Sequence, residues 1–149
     1  MMLRHVSEFS AQNLANAAWA CDLFLVPILM IGAYASWTTG NFEKYALLFS
    51  GILIFRALCI FATVIPSSSC RFHGKSIGMG GCRDQIISGH TACAVLAAHA
   101  IGVLYPRCKA FCYLYAGFVA LSLIFTRQHY TVDVLLGSAL ASLVLYAAK

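Results

Sequence analysis

An all-α, polytopic membrane helix bundle is the fold class this sequence predicts, and three observations predict it. Of the 149 residues, 61% are hydrophobic and only 10% charged, against about a quarter charged in soluble domains. The mean hydropathy is +0.81. The apolar residues fall into five runs, each close to the ~20 residues that one bilayer crossing requires, with polar connections between them. A soluble fold of this length would have to hide an excess of apolar surface, whereas a membrane bundle leaves its apolar faces in lipid.

The first span is expected from about Leu14 to Trp37, after a polar stretch from Met1 to Asn13. That polar start, the length of the apolar run and the lack of a small-residue cleavage site argue against a removed signal peptide, so the first span is expected to stay. Thr38-Thr39-Gly40-Asn41 is the turn into a second span from about Tyr45 to Ile65. A third runs from about Ser88 to Tyr105 and stops at Pro106, a fourth from about Lys109 to Phe125, and a fifth from about Thr131 to Ala148. The connections Arg107-Cys108 and Thr126-Arg127-Gln128-His129 are too short for anything but antiparallel neighbours. There is no internal repeat and no low-complexity tract, and residues 1–149 are read as one catalytic domain.

The long connection from Pro66 to Ile87 is rich in Ser and Gly and carries Arg71, His73, Lys75, Arg83 and Asp84. Long irregular loops in compact bundles are usually functional or disordered. Five antiparallel crossings put the N-terminus, this loop and the Thr126 to His129 connection on one membrane face. Lys44, Arg107, Lys109 and Lys149 fall on the other. The net charge of +5 comes from Lys and Arg scattered singly through the connections, which gives no nucleic-acid footprint.

Two short motifs carry chemistry. Ser88-Gly89-His90-Thr91 opens the third span directly after the polar loop. Backbone N–H groups and the positive end of the helix dipole then stand beside an imidazole, an arrangement that binds phosphate; read blandly, it is a Ser N-cap and nothing more. In His129-Tyr130-Thr131-Val132-Asp133 the His and Asp are four apart at the start of the fifth span and share a helix face. Asp133 is then expected to accept the imidazole N–H of His129, fixing the tautomer and leaving the other nitrogen free to attack. The bland reading, a capped helix with an ion pair, is weakened by the recurrence of the pair on the face that carries His90.

At these motifs the chain resembles the sphingomyelin synthase family, a branch of the lipid phosphate phosphatase superfamily. One family block, Cys-Gly-Asp, three variable residues and Ser-Gly-His-Thr, is matched by Cys82-Arg83-Asp84-Gln85-Ile86-Ile87-Ser88-Gly89-His90-Thr91. Another, His-Tyr-Thr-x-Asp-Val, is intact from His129 to Val134, and Arg56 with Thr63 and Pro66 is similar to the family's Arg-containing helix. The resemblance implies a phospholipid:ceramide headgroup phosphotransferase with a lipid phosphate phosphatase-like fold. It implies His129 as nucleophile, Asp133 as its orienting acid and His90 as the acid and base that serves the departing diacylglycerol and the incoming hydroxyl. Phosphate and substrate contacts are implied for Ser88, Gly89, Thr91, Arg56, Arg83, Asp84, Arg127 and Tyr130. No cofactor and no metal are implied; the partners are membrane lipids, a phospholipid donor with ceramide or diacylglycerol.

Three departures stand out. Arg83 replaces a family Gly, Ser138 and Leu145 stand where the family has Tyr and Thr, and five spans are read where the family has six. A water-accepting lipid phosphatase or phosphodiesterase is the nearest alternative, although that class's usual first block with Arg followed by Pro is absent; a non-catalytic scaffold is the third. The resemblance implies an endomembrane or plasma-membrane protein with a lumenal or exoplasmic active site. The positive-inside rule points the other way, because Arg4, Arg71, Lys75, Arg83 and Arg127 outnumber the four cations opposite.

The remaining polar residues inside spans need partners. An unpaired Arg at mid-helix costs at least about 2.5 to 3.5 kcal/mol, so Arg56 and Asp22, at similar depth below one face, are expected to pair or jointly to line the catalytic chamber. His99 lies on a different helix face from His90 and is read as a helix-contact residue, while His5 and His73 fall in polar segments. Cys21, Cys59 and Cys93 are read as packing residues, and Cys108 and Cys112 as membrane-boundary thiols open to acylation. With a lumenal face as the resemblance implies, Cys70 and Cys82 would close the catalytic loop as a disulfide.

Overall fold

The computed structural model describes residues 2–62, 86–126 and 128–148, with side chains from residue 20 onward. The chain forms five α-helices: α1 (Met2–Thr38), α2 (Phe42–Ala62), α3 (Gly89–Leu104), α4 (Lys109–Phe125) and α5 (Thr131–Ala147). A single 3-10 turn, Pro106–Cys108, joins α3 to α4. No strand occurs among the described residues. The bounds of α2 to α5 agree with the apolar runs to within three residues wherever both ends are described. The exception is the N-terminus, where the polar segment expected to precede the first span is part of α1. That segment contains no Pro or Gly to stop a helix once the apolar run has nucleated one.

Three stretches, Ala20–Thr38, Phe42–Ala62 and Pro106–Phe125, are long and apolar enough to cross a membrane, while α3 and α5 are apolar but shorter. At 1.5 Å per residue the 16 and 17 residues of these two helices span only about 25 Å, less than the ~30 Å hydrocarbon core. Both short helices begin at the residues suspected of chemistry. Large apolar side chains such as Leu47, Phe61, Phe111, Leu114 and Leu143 point out of the bundle. In water this surface would drive association; in a bilayer it meets acyl chains.

Helix α3 is the centre of the bundle and touches each of the other four. Its Ala-rich surface lets neighbours approach closely, as small residues do in membrane interfaces. Toward α1 and α4 it packs Ala94, Ala97, Ala98 and Ile101 against Leu25, Ile28, Ala35, Cys112, Ala116 and Val119. Toward α2 and α5 it packs Ala92 and Leu96 against Ile52, Ala141 and Leu145. Near the opposite end of the helix, His99 Nδ1 and the Tyr45 hydroxyl are 2.7 Å apart, so His99 is the helix-contact histidine its position predicts. Pro27 within α1 withholds the amide that the Leu23 carbonyl would otherwise receive.

Candidate active site

The site is assembled where α3 and α5 begin. Ser88 is extended, at φ −68° and ψ 104°, and caps α3 by accepting the Thr91 amide on its hydroxyl. The Thr91 hydroxyl donates to the same oxygen at 2.9 Å. Both side chains are almost fully buried, so they are committed to holding the helix start in shape. Helix geometry leaves the first-turn amides without intrahelical acceptors, which gives this end of α3 its affinity for anions.

Helix α5 begins with a reciprocal cap. The Asp133 carboxylate accepts the Tyr130 amide at 2.9 Å, and the Tyr130 carbonyl accepts the Asp133 amide at 3.0 Å. The same carboxylate oxygen lies 3.7 Å from His129 Nδ1. This corrects the expectation of a hydrogen bond between them: the acid is held first by the helix cap, and the imidazole waits just beyond bonding reach. His129 Nδ1 is buried and has no hydrogen-bond partner among the described residues. Such an atom in a native fold calls for an explanation. Burial chiefly, with His90 and Arg56 adding to it, pushes the His129 imidazole down to about 4. At neutral pH it is therefore uncharged, the form in which a ring nitrogen is nucleophilic.

The two histidines face each other, with ring centroids 6.2 Å apart. His90 Nε2 lies 2.9 Å from Asp22 Oδ1. A carboxylate can only accept, so Nε2 carries the hydrogen and Nδ1 is left to exchange protons with a substrate. The described partner of Asp22 is thus this histidine, 68 residues away. Arg56 donates from Nε to the Ile87 carbonyl at 2.9 Å. Its guanidinium also lies over Gly89, where a Cβ would come within 3.2 Å of Nη1. Asp22 and Arg56 thus jointly line the site, one of the two arrangements their matched depth suggested. Glycine at position 89 lets a cation lie against the helix start.

Of the residues singled out from the sequence, Ser88, Gly89, His90, Thr91, Arg56, His129, Tyr130 and Asp133 come together here. Tyr130 contributes backbone to the cap and is 42% exposed. Arg83, Asp84 and Arg127 lie outside the described residues, as do His73 and the Cys70 and Cys82 pair. Sequence reasoning missed Asp22 as the partner of His90, although an acid inside a span was the available signal. It also missed Gly137, where a Cβ would sit 2.5 Å from the Ser88 carbonyl oxygen. Among the described residues no three His, Cys, Asp or Glu side chains are grouped to hold a metal ion.

Two imidazoles, each beside a carboxylate, with an arginine at a helix N-terminus between layers of apolar helix, form a set suited to an anionic group on a membrane lipid. No curated protein and no solved structure matches the chain. Residues 81–149 match the family model described as PAP2 superfamily C-terminal, a segment that contains both histidines, Asp133 and the caps of α3 and α5. Over that segment the chain is similar to the lipid phosphate phosphatase superfamily, and three of its described stretches are long and apolar enough to cross a membrane.

Proposed function

We propose that the protein transfers a phosphate-linked headgroup from a phospholipid to the hydroxyl of a second lipid such as ceramide, through a phosphohistidine intermediate. The observation that carries this reading is the opposed pair of histidines, 6.2 Å between ring centroids, each with its own acid. Neutral His129 attacks phosphorus through Nε2, forming a P–N bond as the P–O bond to diacylglycerol breaks. Asp133, 3.7 Å away, closes on Nδ1–H as the ring becomes cationic. His90 gives its Nδ1 proton to the departing oxygen, while Asp22 orients the ring and supplies the countercharge. The acceptor hydroxyl then returns a proton to His90 and attacks phosphorus, breaking the P–N bond and freeing His129. The α3 amides and Arg56 neutralise the charge that grows on the phosphoryl oxygens in both steps.

Separation of the two roles supports transfer, because one histidine can hold the headgroup covalently while the other serves two successive oxygens. The departures at Arg83, Ser138 and Leu145 leave the choice of headgroup, choline, ethanolamine or inositol, to experiment. Reconstitution in vesicles with labelled ceramide and a panel of phospholipids, with products resolved by mass, tests the reading. A phosphosphingolipid product is expected. Release of headgroup phosphate to water alone would make the protein a hydrolase, and no turnover with any donor would leave the scaffold reading.

A further inference from the structure

Between α1 and α4 lies an apolar groove of about 370 Å³. Its walls are Ala20, Cys21 and Phe24 of α1 and Phe118, Leu121, Ser122, Phe125 and Thr126 at α4, the Ser122 and Thr126 hydroxyls being turned to the Val119 and Ser122 carbonyls. Its upper end is fixed at the level of the active site: Cys21 Sγ meets Thr126 Oγ1 at 3.6 Å, and the next residue, Asp22, holds His90. Its lower end is closed where the rings of Phe24 and Phe118 meet edge to face, 5.5 Å between centroids. The Tyr115 hydroxyl clamps the same level by donating to the Phe24 carbonyl at 2.7 Å. From Thr126 to Phe118 is eight residues along α4, so the groove runs about 12 Å into the apolar layer.

We propose that this groove holds one acyl chain of the phosphate-bearing lipid while its phosphate lies between His90 and His129. The assignment rests on the reading of the histidine pair as a lipid phosphotransfer centre. Three features select an acyl chain. The groove starts at the depth of Asp22, where the ester region of a lipid with its phosphate at the histidines has to lie. Its lining offers no polar surface. Leu121, Phe118 and Phe125 stay 55, 51 and 81% exposed on the outer side, so the groove opens sideways to the bilayer and lets a lipid slide in without leaving it.

The test uses the full chain in vesicles and a phospholipid with a photoreactive diazirine at mid-chain. Labelled peptides should concentrate on the segments around Phe24 and Leu121. Leu121→Trp, which fills the groove from its open side, should lower that labelling by about tenfold or more, the change expected when even two methylenes lose their burial. Leu114→Trp, at an exposed α4 position outside the groove, should retain it, which controls for folding. In turnover, Leu121→Trp should slow a long-chain donor far more than a short-chain, water-soluble donor with the same headgroup. Labels spread evenly over the lipid-facing helices, labelling indifferent to Leu121→Trp, or cross-links between two copies at this groove would overturn the assignment. Localised labelling without turnover of any donor would leave the groove standing and remove the phosphotransfer reading instead.

Discussion

The amide of Ser88 donates to the carbonyl of Asp133 at 3.0 Å, which bonds the N-cap of α3 to the first turn of α5. His90 follows the first residue by two positions and His129 precedes the second by four. The distance between the two imidazoles is therefore set by backbone, through one hydrogen bond and one close approach at Gly137.

Gly137→Ala should break that register. The new methyl would lie 2.5 Å from the Ser88 carbonyl oxygen and 3.3 Å from its amide nitrogen, and neither backbone atom can yield without moving a helix. A loss of about 1 to 3 kcal/mol is expected from overpacking, with headgroup transfer falling further because the histidines separate. Gly51→Ala on α2 meets nothing within 4 Å and should be neutral or slightly stabilising. Thermal unfolding in detergent beside a transfer assay compares the two, and equal behaviour would count against the close approach.

The two histidines should fail differently. His129→Ala removes the nucleophile and should abolish transfer and any covalent adduct. Asp133→Asn should lose up to about 10⁴-fold in rate if the acid fixes the tautomer, by analogy with triad enzymes. His90→Ala should still form the adduct from a nitrophenyl donor, whose leaving group needs no proton, and then stall. An acid-labile adduct trapped on His90 would reverse the roles.

Asp22→Asn should separate the two half-reactions. The variant keeps the shape of the contact with His90 at 2.9 Å but removes the countercharge. Transfer from a natural donor should fall by about 10²-fold, toward the lower end of what general acid–base catalysis contributes. Adduct formation from the nitrophenyl donor should stay near the wild-type rate, and an equal fall in both steps would show that Asp22 serves the fold alone.

Acid should act through His129 below the usual histidine range. The unfolded chain binds a proton there near 6.5, and the folded chain only near 4, chiefly because the ring is buried. Between those values the unfolded state holds more protons, so stability present above pH 6.5 is lost as the pH falls toward 4. His129→Gln should lack this slope. In the intact protein, adduct formation from the nitrophenyl donor should lose its His129-dependent acid limb only near pH 4. A midpoint near 6.5 for that limb would contradict the burial.

Much of this molecule was legible in its sequence because membrane solvation is a harsh constraint. With no water available to backbone amides, each long apolar run has to be a helix, and Pro106, the Thr38 to Asn41 turn and the Ser88 cap punctuate those helices locally. The motifs at Ser88 to Thr91 and His129 to Asp133 were visible for the same reason, since a cap and an i, i+4 pair are short-range geometry. The distance between them was not. Asp22 could be recognised as a buried acid needing a partner, yet nothing along the chain states whether Arg56 or His90 receives it, because helix rotation and tilt follow from packing on the Ala-rich surface of α3. The 3.7 Å between Asp133 and His129 was equally hidden, since a carboxylate that can either cap its own helix or orient a neighbour is allotted by local strain and burial. Sequence alone determined the helices, their order and the chemical groups; tertiary packing decided which acid serves which histidine, because those partners lie on helices whose relative depth and rotation only close contact can fix.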